Sequence, residues 1–514
     1  MTLKQKRSGV DRAELKVALL IGMITVVGFL LRFYHLGDQS LWLDEAISSN
    51  AAAALLQYDS PVFPSGHIYG RAILNTYLIA LSYNIFGVSE FAGRLPSVIF
   101  GTLTIPIVYF IGAKLENRNV GILASIFIAF SVWEIMWSRQ ARMYQQLQFF
   151  YLASILLIYE FNNNRTTKNF VLLVICILGA MSSHLFGYVL IPMALIYFLI
   201  GNIDIAKRIQ IESIDIRPVV LSLAILLVLI FATDLTRVIS QVFNTRYDYF
   251  GSYIYFLEDW VPLFFYLAPL GAVMAFEKRP GLGTLLILSY MIPFYFISFH
   301  VKLLGFRYLY FIFPILVVFS SLLIIKLTEH KKEQLLPKLR FPNTKVLINS
   351  AIIILLLLAS VAQFQLTPED NYKLEPRTPQ AEFKEAYNTI KTNMGPDDAI
   401  MAGWTPLAQY YIGKCDYWLA FPITGTGIDD FLINNTQYDV YANATAIRDV
   451  RALEDVINAH TQGWIVVDDM TQRGIRPEMR SYLSNDTIFK VESYDSLKVY
   501  RWNLSLYDEI ENSN

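Results

Sequence analysis

The chain has 514 residues, of which 54% are hydrophobic and 17% are charged, and its mean hydropathy is positive. These values exclude an ordinary soluble globular protein and indicate a multi-span membrane protein. The two cysteines, Cys176 and Cys415, lie far apart in the sequence, so they predict neither a disulfide framework nor a thiolate metal site.

Apolar runs of about 16 to 20 residues predict about eleven transmembrane helices. The first run follows a basic N-terminus and has no small-residue cleavage site, so it is predicted to be a retained span and not a signal peptide. The predicted spans lie near residues 17–34, 95–112, 120–137, 146–161, 170–184, 186–202, 218–233, 260–276, 282–299, 308–325 and 345–364.

One further apolar segment, 71–87, contains Asn75, Ser82 and Asn84 and is ambiguous by hydropathy. If it lies along the membrane interface, basic residues gather at the N-terminus and in the loops 113–119, 162–169, 203–217, 277–281 and 326–344. The positive-inside rule then predicts a cytoplasmic N-terminus and an extracytoplasmic C-terminal segment. An interfacial helix is therefore the favoured interpretation of 71–87.

The composition becomes that of a soluble protein from residue 365 onward. The segments "PQAEFKEAYNTIKTN" and "RALEDVINA" predict helices, "DAIMAGW" and "GWIVVDD" predict buried strands, and "IFKVESYDSLKVYRW" predicts a hairpin. The domain organisation is thus predicted to be a transmembrane catalytic domain, 1–364, followed by an extracytoplasmic α/β domain, 365–514.

With this topology, most of the charged residues that are not cytoplasmic anchors fall on the outer face, where ionisable groups at span ends suggest a functional site. Two carboxylates face several arginines, which bind phosphate groups through a planar fork of donors. The predicted catalytic residues are Asp44 and Glu45, and the predicted substrate-binding residues are Arg71, Arg94, Arg139, Arg142, Tyr144, His184, Lys302, Arg307 and Tyr308.

Each of these residues also has a structural interpretation. Asp44 and Glu45 could cap the helix that "AISSNAAAALL" begins. Arg139 and Arg142 could extend to lipid headgroups, and His184 could be a hydrogen-bonded packing residue. The functional interpretation is favoured because all of them fall on one face in a single topology.

The ordered motifs "LWLDEA", "NIFGVSEFAGRLPSVIFG", "WSRQARMYQQLQFF", "SSHLFG" and "FRYLYFIFP" resemble the GT-C superfamily of glycosyltransferases. The resemblance is to the branch of the protein O-mannosyltransferases and lipid A aminoarabinose transferases, glycosyltransferase family 39 and its relatives, over roughly residues 15–365. It implies a GT-C fold with interfacial helices in the first outer loop. It also implies an inverting transfer from a polyprenyl- or dolichyl-phosphate sugar, with Asp44 as base and Arg139 and Arg142 at the later arginine positions.

The chain departs from parts of that family. Aminoarabinose transferases have an acidic–basic pair and two prolines where this chain has Gly70, Arg71, Ala72 and Ile73. No outer loop is long enough for the β-trefoil insertion of eukaryotic protein mannosyltransferases, and the tandem-tryptophan signature of oligosaccharyltransferases is missing. Transfer of a single sugar, with mannose as the first candidate, is therefore expected over aminoarabinose or whole-oligosaccharide transfer.

A carboxylate can accept the proton of an attacking hydroxyl, and arginines can stabilise the charge of a departing lipid phosphate. The expected partners are a polyprenyl-phosphate sugar donor, a protein or glycolipid acceptor and the lipid bilayer, without nucleic acid. No cofactor is specified; a divalent cation held by Asp44, Glu45 and His184 is the alternative left open. A transporter or flippase of lipid-linked sugars is the competing function, although no internal repeat supports it.

Overall fold

A computed structural model describes residues 3–208, 246–335, 364–367, 382–422, 427–433, 436–485, 488–494 and 496–504. The predicted span at 218–233 lies outside the described residues, as does that at 345–364 apart from its last residue. The described residues form two compact units. The first contains those of Met1–Phe33, Ser97–Ser138 and Met143–Pro368, and the second those of Tyr34–Pro96, Arg139–Arg142 and Glu369–Asn514.

The described residues of the N-terminal two-thirds of the chain are mostly helical, as the apolar runs predict. The helices are α1 (Leu3–Phe33), α2 (Leu43–Tyr58), α3 (Ile73–Phe86), α4 (Glu90–Leu115), α5 (Arg118–Phe130), α6 (Val132–Ser138), α7 (Tyr144–Asn163), α8 (Thr167–Ser183), α9 (Leu190–Arg208), α10 (Phe250–Trp260), α11 (Pro262–Lys278), α12 (Pro280–His300) and α13 (Phe313–Leu335). Short 3₁₀ helices, Leu185–Val189 and Phe306–Ile312, precede α9 and α13.

Among the residues described, four helical segments are long and apolar enough to cross a membrane: Arg12–Phe33, Glu90–Leu115, Pro280–His300 and Phe306–Glu329. The bent pair α10 and α11, which meet at 109°, makes a fifth if the two are one span. The helical membrane architecture with a separate C-terminal α/β region is confirmed, and the number of eleven spans stays a prediction.

Helix α3 is the segment that the charge pattern assigns to the interface. Its 14 residues are about 21 Å long, shorter than the roughly 30 Å of a bilayer's hydrocarbon core. One face of the helix is buried around Ile79 and Tyr83, whereas Ile73, Tyr77 and Leu81 are exposed in a row. An apolar exposed row at a spacing of four residues fits a helix that lies along a membrane surface.

The second unit contains a six-stranded sheet in the order β3-β2-β1-β4-β6-β5. The strands are β1 (Ala399–Ala402), β2 (Tyr417–Leu419), β3 (Thr445–Ile447), β4 (Gln462–Asp468), β5 (Lys490–Tyr494) and β6 (Leu497–Asn503). The first four are parallel, and β6 runs antiparallel to both β4 and β5. The helices are α14 (Phe383–Asn393), α15 (Thr405–Ile412), α16 (Val450–Ala459), α17 (Asp469–Gly474) and α18 (Pro477–Leu483).

Both faces of the sheet are buried, which explains why β1 and β4 are continuous apolar runs in the sequence. One face contributes Ile400 and Trp464 to a core that also includes Leu41 and Ala46 of the first loop and helix α2. The opposite face packs Met401 against other buried residues, among which are those of α16 and α18. The sheet and the first loop therefore share a hydrophobic core.

Close packing of α11 against α13 depends on Gly271. A Cβ atom at this position would lie 2.0 Å from the backbone oxygen of Phe319. We expect Gly271→Ala to lower the thermal unfolding temperature of the detergent-solubilised protein, because an overpacked contact typically costs about 1–3 kcal/mol. Gly22→Ala, in α1 with nothing within 4 Å, is the control and should leave that temperature unchanged or slightly raised. Equal unfolding temperatures for the two variants would contradict this account.

Candidate active site

The acidic pair of the first loop lies in the first turn of α2. Trp42 has an extended backbone and precedes the helix, and its backbone N–H faces the Glu45 carboxylate at 3.4 Å. The Trp42 indole donates to the Gln140 side chain at 2.8 Å, which fixes the entry of the chain into the helix. Glu45 therefore provides the capping contact that the sequence left open between the two acids.

Glu45 is completely buried and its carboxylate is enclosed by donors. Arg94 Nε donates to Oε1 and Arg94 Nη2 donates to Oε2, both at 2.8 Å. The backbone N–H of Ala141 donates to Oε1 at 2.7 Å. The exposed fraction of the Glu45 side chain is 0%. These contacts enclose the Glu45 carboxylate and fix its position, and its predicted catalytic role stays a prediction.

Arg94 is buried and uses all five of its N–H donors. Besides the two bonds to Glu45, it donates to the backbone carbonyls of Leu36, Gln39 and Ser40. A guanidinium in this state cannot bind a phosphate without breaking internal bonds. Arg94 thus holds the chain between α1 and α2 in place, and its predicted substrate-binding role stays a prediction.

The two arginines of "SRQARMY" are also largely buried. Arg139 donates to the backbone carbonyls of Tyr34 and His35, at the end of α1. Arg142 donates through Nη1 to the Asp44 backbone carbonyl at 2.9 Å and to the Ser48 hydroxyl at 2.8 Å. Its Nη2 lies 3.4 Å from Asp44 Oδ2. Arg139 thus anchors the loop, and Arg142 aligns Asp44.

Asp44 differs from its neighbour in accessibility. Its side chain is 20% exposed, whereas that of Glu45 is 0% exposed. The Arg142 guanidinium and the helix N-terminus both stabilise negative charge at this position. Asp44 is therefore the carboxylate of the pair that an incoming molecule can reach.

Two further residues of the same unit, Arg71 and Tyr441, belong to the electrostatic surroundings of the site, since Asp44 and Arg71 both act on Tyr441. Arg71 is exposed and precedes Ala72, whose left-handed backbone (φ 51°) is uncommon for a non-glycine residue. Tyr441 comes from the C-terminal domain. Burial and then the negative charge of Asp44 raise the pKa of Tyr441 to about 12, and the positive charge of Arg71 acts in the opposite direction. No local sequence pattern marks Tyr441, so the sequence did not predict it.

The remaining predicted site residues belong to the first unit, where they form an aromatic cluster. The His184 ring lies 5.6 Å from that of Tyr144 and 6.4 Å from that of Tyr308, and the Arg307 guanidinium lies 5.5 Å from the Tyr308 ring centre. His184 Nδ1 accepts a bond from the Phe186 N–H at 3.1 Å, as its packing interpretation expects. Lys302 is exposed.

The first unit contains a buried polar network that the sequence analysis did not predict. The Glu134 carboxylate accepts bonds from the Tyr310 hydroxyl and the Gln148 amide, each at 2.8 Å, and Gln145 also bonds to Tyr310. Arg32 donates to the Ser138 hydroxyl and to the last carbonyls of α5. The available signal was a lone carboxylate inside the predicted span 120–137, which membrane energetics mark as noteworthy.

Metal ligands are not gathered in the described part of the chain, where no group of three or more His, Cys, Asp and Glu side chains is arranged to hold an ion. Glu45, one of the three ligands considered from the sequence, is enclosed by Arg94 and Ala141. The divalent cation stays an untested prediction.

Comparisons with known proteins match this architecture. A family model described as dolichyl-phosphate-mannose-protein mannosyltransferase matches residues 70–233. An uncharacterised protein from Aquifex aeolicus is 24% identical over 182 residues, which are 34% of this chain and 36% of that relative. The match thus spans about a third of the relative's length.

Solved structures extend the comparison to nearly the whole chain. ArnT from Cupriavidus metallidurans in the apo state has a TM-score of 0.60 at 13% identity, covering 96% of this chain and 99% of ArnT. The same protein bound to undecaprenyl phosphate gives 0.60 at 12% identity, with coverages of 94% and 97%. The archaeal oligosaccharyltransferase AglB from Archaeoglobus fulgidus, in complex with an inhibitory peptide and a dolichol-phosphate, gives 0.55 at 11% identity, with coverages of 89% and 70%.

The fold is therefore that of a GT-C membrane glycosyltransferase. The resemblance to the superfamily's protein O-mannosyltransferase and ArnT-like branch, inferred from the motifs, is confirmed.

Removal of one partner of the Glu45–Arg94 pair should be strongly destabilising, whereas removal of the Asp44 charge should not. We expect Glu45→Gln to lower the free energy of unfolding by roughly 3–5 kcal/mol, because it leaves the buried Arg94 charge without its counter-charge. Asp44→Asn, an equivalent change one residue earlier, should cost less than about 1 kcal/mol at this partly exposed position. Denaturant or thermal unfolding of both purified variants measures this, and a smaller loss for Glu45→Gln than for Asp44→Asn would disprove it.

Proposed function

We propose that this protein transfers a single sugar, with mannose as the first candidate, from a polyprenyl- or dolichyl-phosphate to a hydroxyl-bearing protein or glycolipid acceptor on the extracytoplasmic side. The observation that carries the proposal is the asymmetry of the acidic pair. Glu45 is locked to Arg94, while Asp44 is partly exposed and aligned by Arg142. A fixed, accessible carboxylate in a GT-C fold is suited to act as a general base.

The proposed reaction is a single displacement at the anomeric carbon. The acceptor hydroxyl transfers its proton to Asp44 Oδ as its oxygen forms a bond to the anomeric carbon. The bond from that carbon to the phosphate oxygen breaks, and the lipid phosphate leaves with the bonding electron pair. A single in-line displacement of this kind inverts the anomeric configuration. Asp44 receives only the proton, so no covalent intermediate with the protein forms.

A lipid-phosphate donor is supported by the relatives with the same fold, whose structures contain undecaprenyl phosphate or dolichol-phosphate. Among the predicted phosphate contacts, Arg94 and Arg139 are bonded to backbone carbonyls in the interior. Within the second unit, which also contains Asp44, we therefore assign phosphate binding to the exposed Arg71.

The assigned base should be required for turnover. With undecaprenyl- or dolichyl-phosphate mannose as donor and membranes from a strain lacking the gene as acceptor, purified full-length protein should incorporate the sugar. Asp44→Asn should reduce the transfer rate by roughly 100-fold or more, because general-base catalysis contributes about 10²–10⁴-fold. Asp59→Asn is the matched control, since Asp59 is an exposed residue at the other end of α2 in a left-handed conformation that asparagine tolerates.

Full activity of the Asp44→Asn variant would contradict the assignment of Asp44 as the general base. Failure of the unmodified protein to transfer mannose from either donor would contradict the proposal itself. If that protein instead moved the lipid-linked sugar across liposome membranes without forming product, the transporter function would be supported.

The proposed orientation has its own test. A cysteine replacing the exposed Asp429 should react with a membrane-impermeant maleimide in intact cells, because the C-terminal domain is proposed to lie outside. Arg165→Cys, in an exposed loop proposed to be cytoplasmic, should react only after permeabilisation. Both changes are made with Cys176→Ser; the second native cysteine, Cys415, is buried. The reverse labelling pattern would overturn the orientation.

A further inference from the structure

Tyr441 lies in a tight loop of the C-terminal domain that Asp439 organises. The Asp439 carboxylate accepts bonds from the backbone N–H groups of Tyr441 at 2.9 Å and Ala444 at 2.8 Å. It also accepts the Thr405 hydroxyl at 2.9 Å, which ties the loop to the start of α15. A buried carboxylate with this many donors makes the position of Tyr441 well defined.

The same loop packs on the segment that follows α2. The Tyr441 ring meets the Phe63 ring edge-on, with centroids 5.5 Å apart at 75°. The Ser65 hydroxyl donates to the Val440 carbonyl. Tyr441 also packs against the buried cluster of Ile47, Ala51, Phe63 and Tyr69, as does Leu43. Its ring therefore packs on a cluster that includes residues of the helix that carries Asp44.

The polar end of Tyr441 shares this location with two charged groups. Asp44 and Arg71 both act electrostatically on its hydroxyl. A phenylalanine would pack equally well against Phe63 and its cluster, so packing does not account for the hydroxyl. If Asp44 receives the proton, as proposed, a hydroxyl carried on the cluster that packs on the same helix can contact the molecule that gives up the proton.

We propose that Tyr441 is a substrate-binding residue that the C-terminal domain supplies to the active site, where its hydroxyl hydrogen-bonds the acceptor and orients the reacting hydroxyl toward Asp44. The inference rests on the proposed function. It assigns acceptor recognition to a specific residue of the C-terminal domain and predicts that donor binding does not depend on that residue.

Tyr441→Phe tests this assignment because it removes the hydroxyl and keeps the ring contacts. We expect the amount of acceptor membranes that gives the half-maximal transfer rate to rise about tenfold, the equivalent of one lost hydrogen bond. The half-saturating concentration of polyprenyl-phosphate mannose and the thermal unfolding temperature should not change. Tyr438→Phe removes an exposed hydroxyl from the same region and should match the unmodified protein in every measurement.

The outcomes separate this inference from the function on which it rests. No transfer by the unmodified protein would refute the proposed function. Normal transfer with an unaltered acceptor dependence in Tyr441→Phe would refute only the role of Tyr441. A change in donor dependence, or a lower unfolding temperature, would also refute that role, because it would show that the hydroxyl serves donor binding or stability.

Discussion

The buried ion pair between Glu45 and Arg94 is the interaction on which the candidate site depends. It joins α2 to the start of α4, and through the remaining Arg94 donors it holds three carbonyls of the chain between α1 and α2. The backbone N–H of Ala141 adds a third segment to the same carboxylate. Burying two charges costs desolvation free energy, and the attraction between the charges does no more than offset this cost. Such a pair therefore contributes little net stability. Its effect is specificity, since one arrangement of these segments satisfies every donor and alternatives leave a buried charge uncompensated.

This constraint explains how two adjacent carboxylates come to have different chemistry. Successive residues of a helix point about 100° apart, so when Glu45 faces the interior Asp44 must face elsewhere. Arg142 then fixes the direction of Asp44 through its backbone carbonyl and its carboxylate. Positioning and reactivity are thus divided between neighbours: Glu45 is enclosed by Arg94 and Ala141, and Asp44 is partly exposed. Preorganisation of this kind lets a carboxylate act without rearrangement during the reaction.

The second unit shows that the C-terminal domain is part of the structural support of the first loop. The Tyr411 hydroxyl accepts the Leu41 N–H at 2.9 Å, and Lys384 contacts the Gly37 carbonyl at 2.9 Å. One face of the sheet shares its core with Leu41 and Ala46. The division at residue 365 stays a prediction about domains along the chain, whereas packing joins residues 34–96 and 139–142 to the C-terminal sheet. A domain built this way can deliver a side chain such as Tyr441 to the loop it supports.

The sequence by itself determined the features that depend on local periodicity and composition. Long apolar runs predicted helices, the soluble tail predicted an α/β domain with β1, β4 and the β5–β6 hairpin, and the order of motifs predicted the GT-C fold. Strands β2 and β3 were not predicted, because three residues are too few to show a periodicity. Only the tertiary structure decided which charged residues of the predicted outer face are accessible. Arg71 and Arg94 are the same residue type near the same loop, yet Arg94 spends its donors on carbonyls and a carboxylate from distant segments, and Arg71 is exposed. Whether all donors of an arginine are hydrogen-bonded depends on partners that are far away in the sequence. The spacing of residues along the chain therefore cannot predict it.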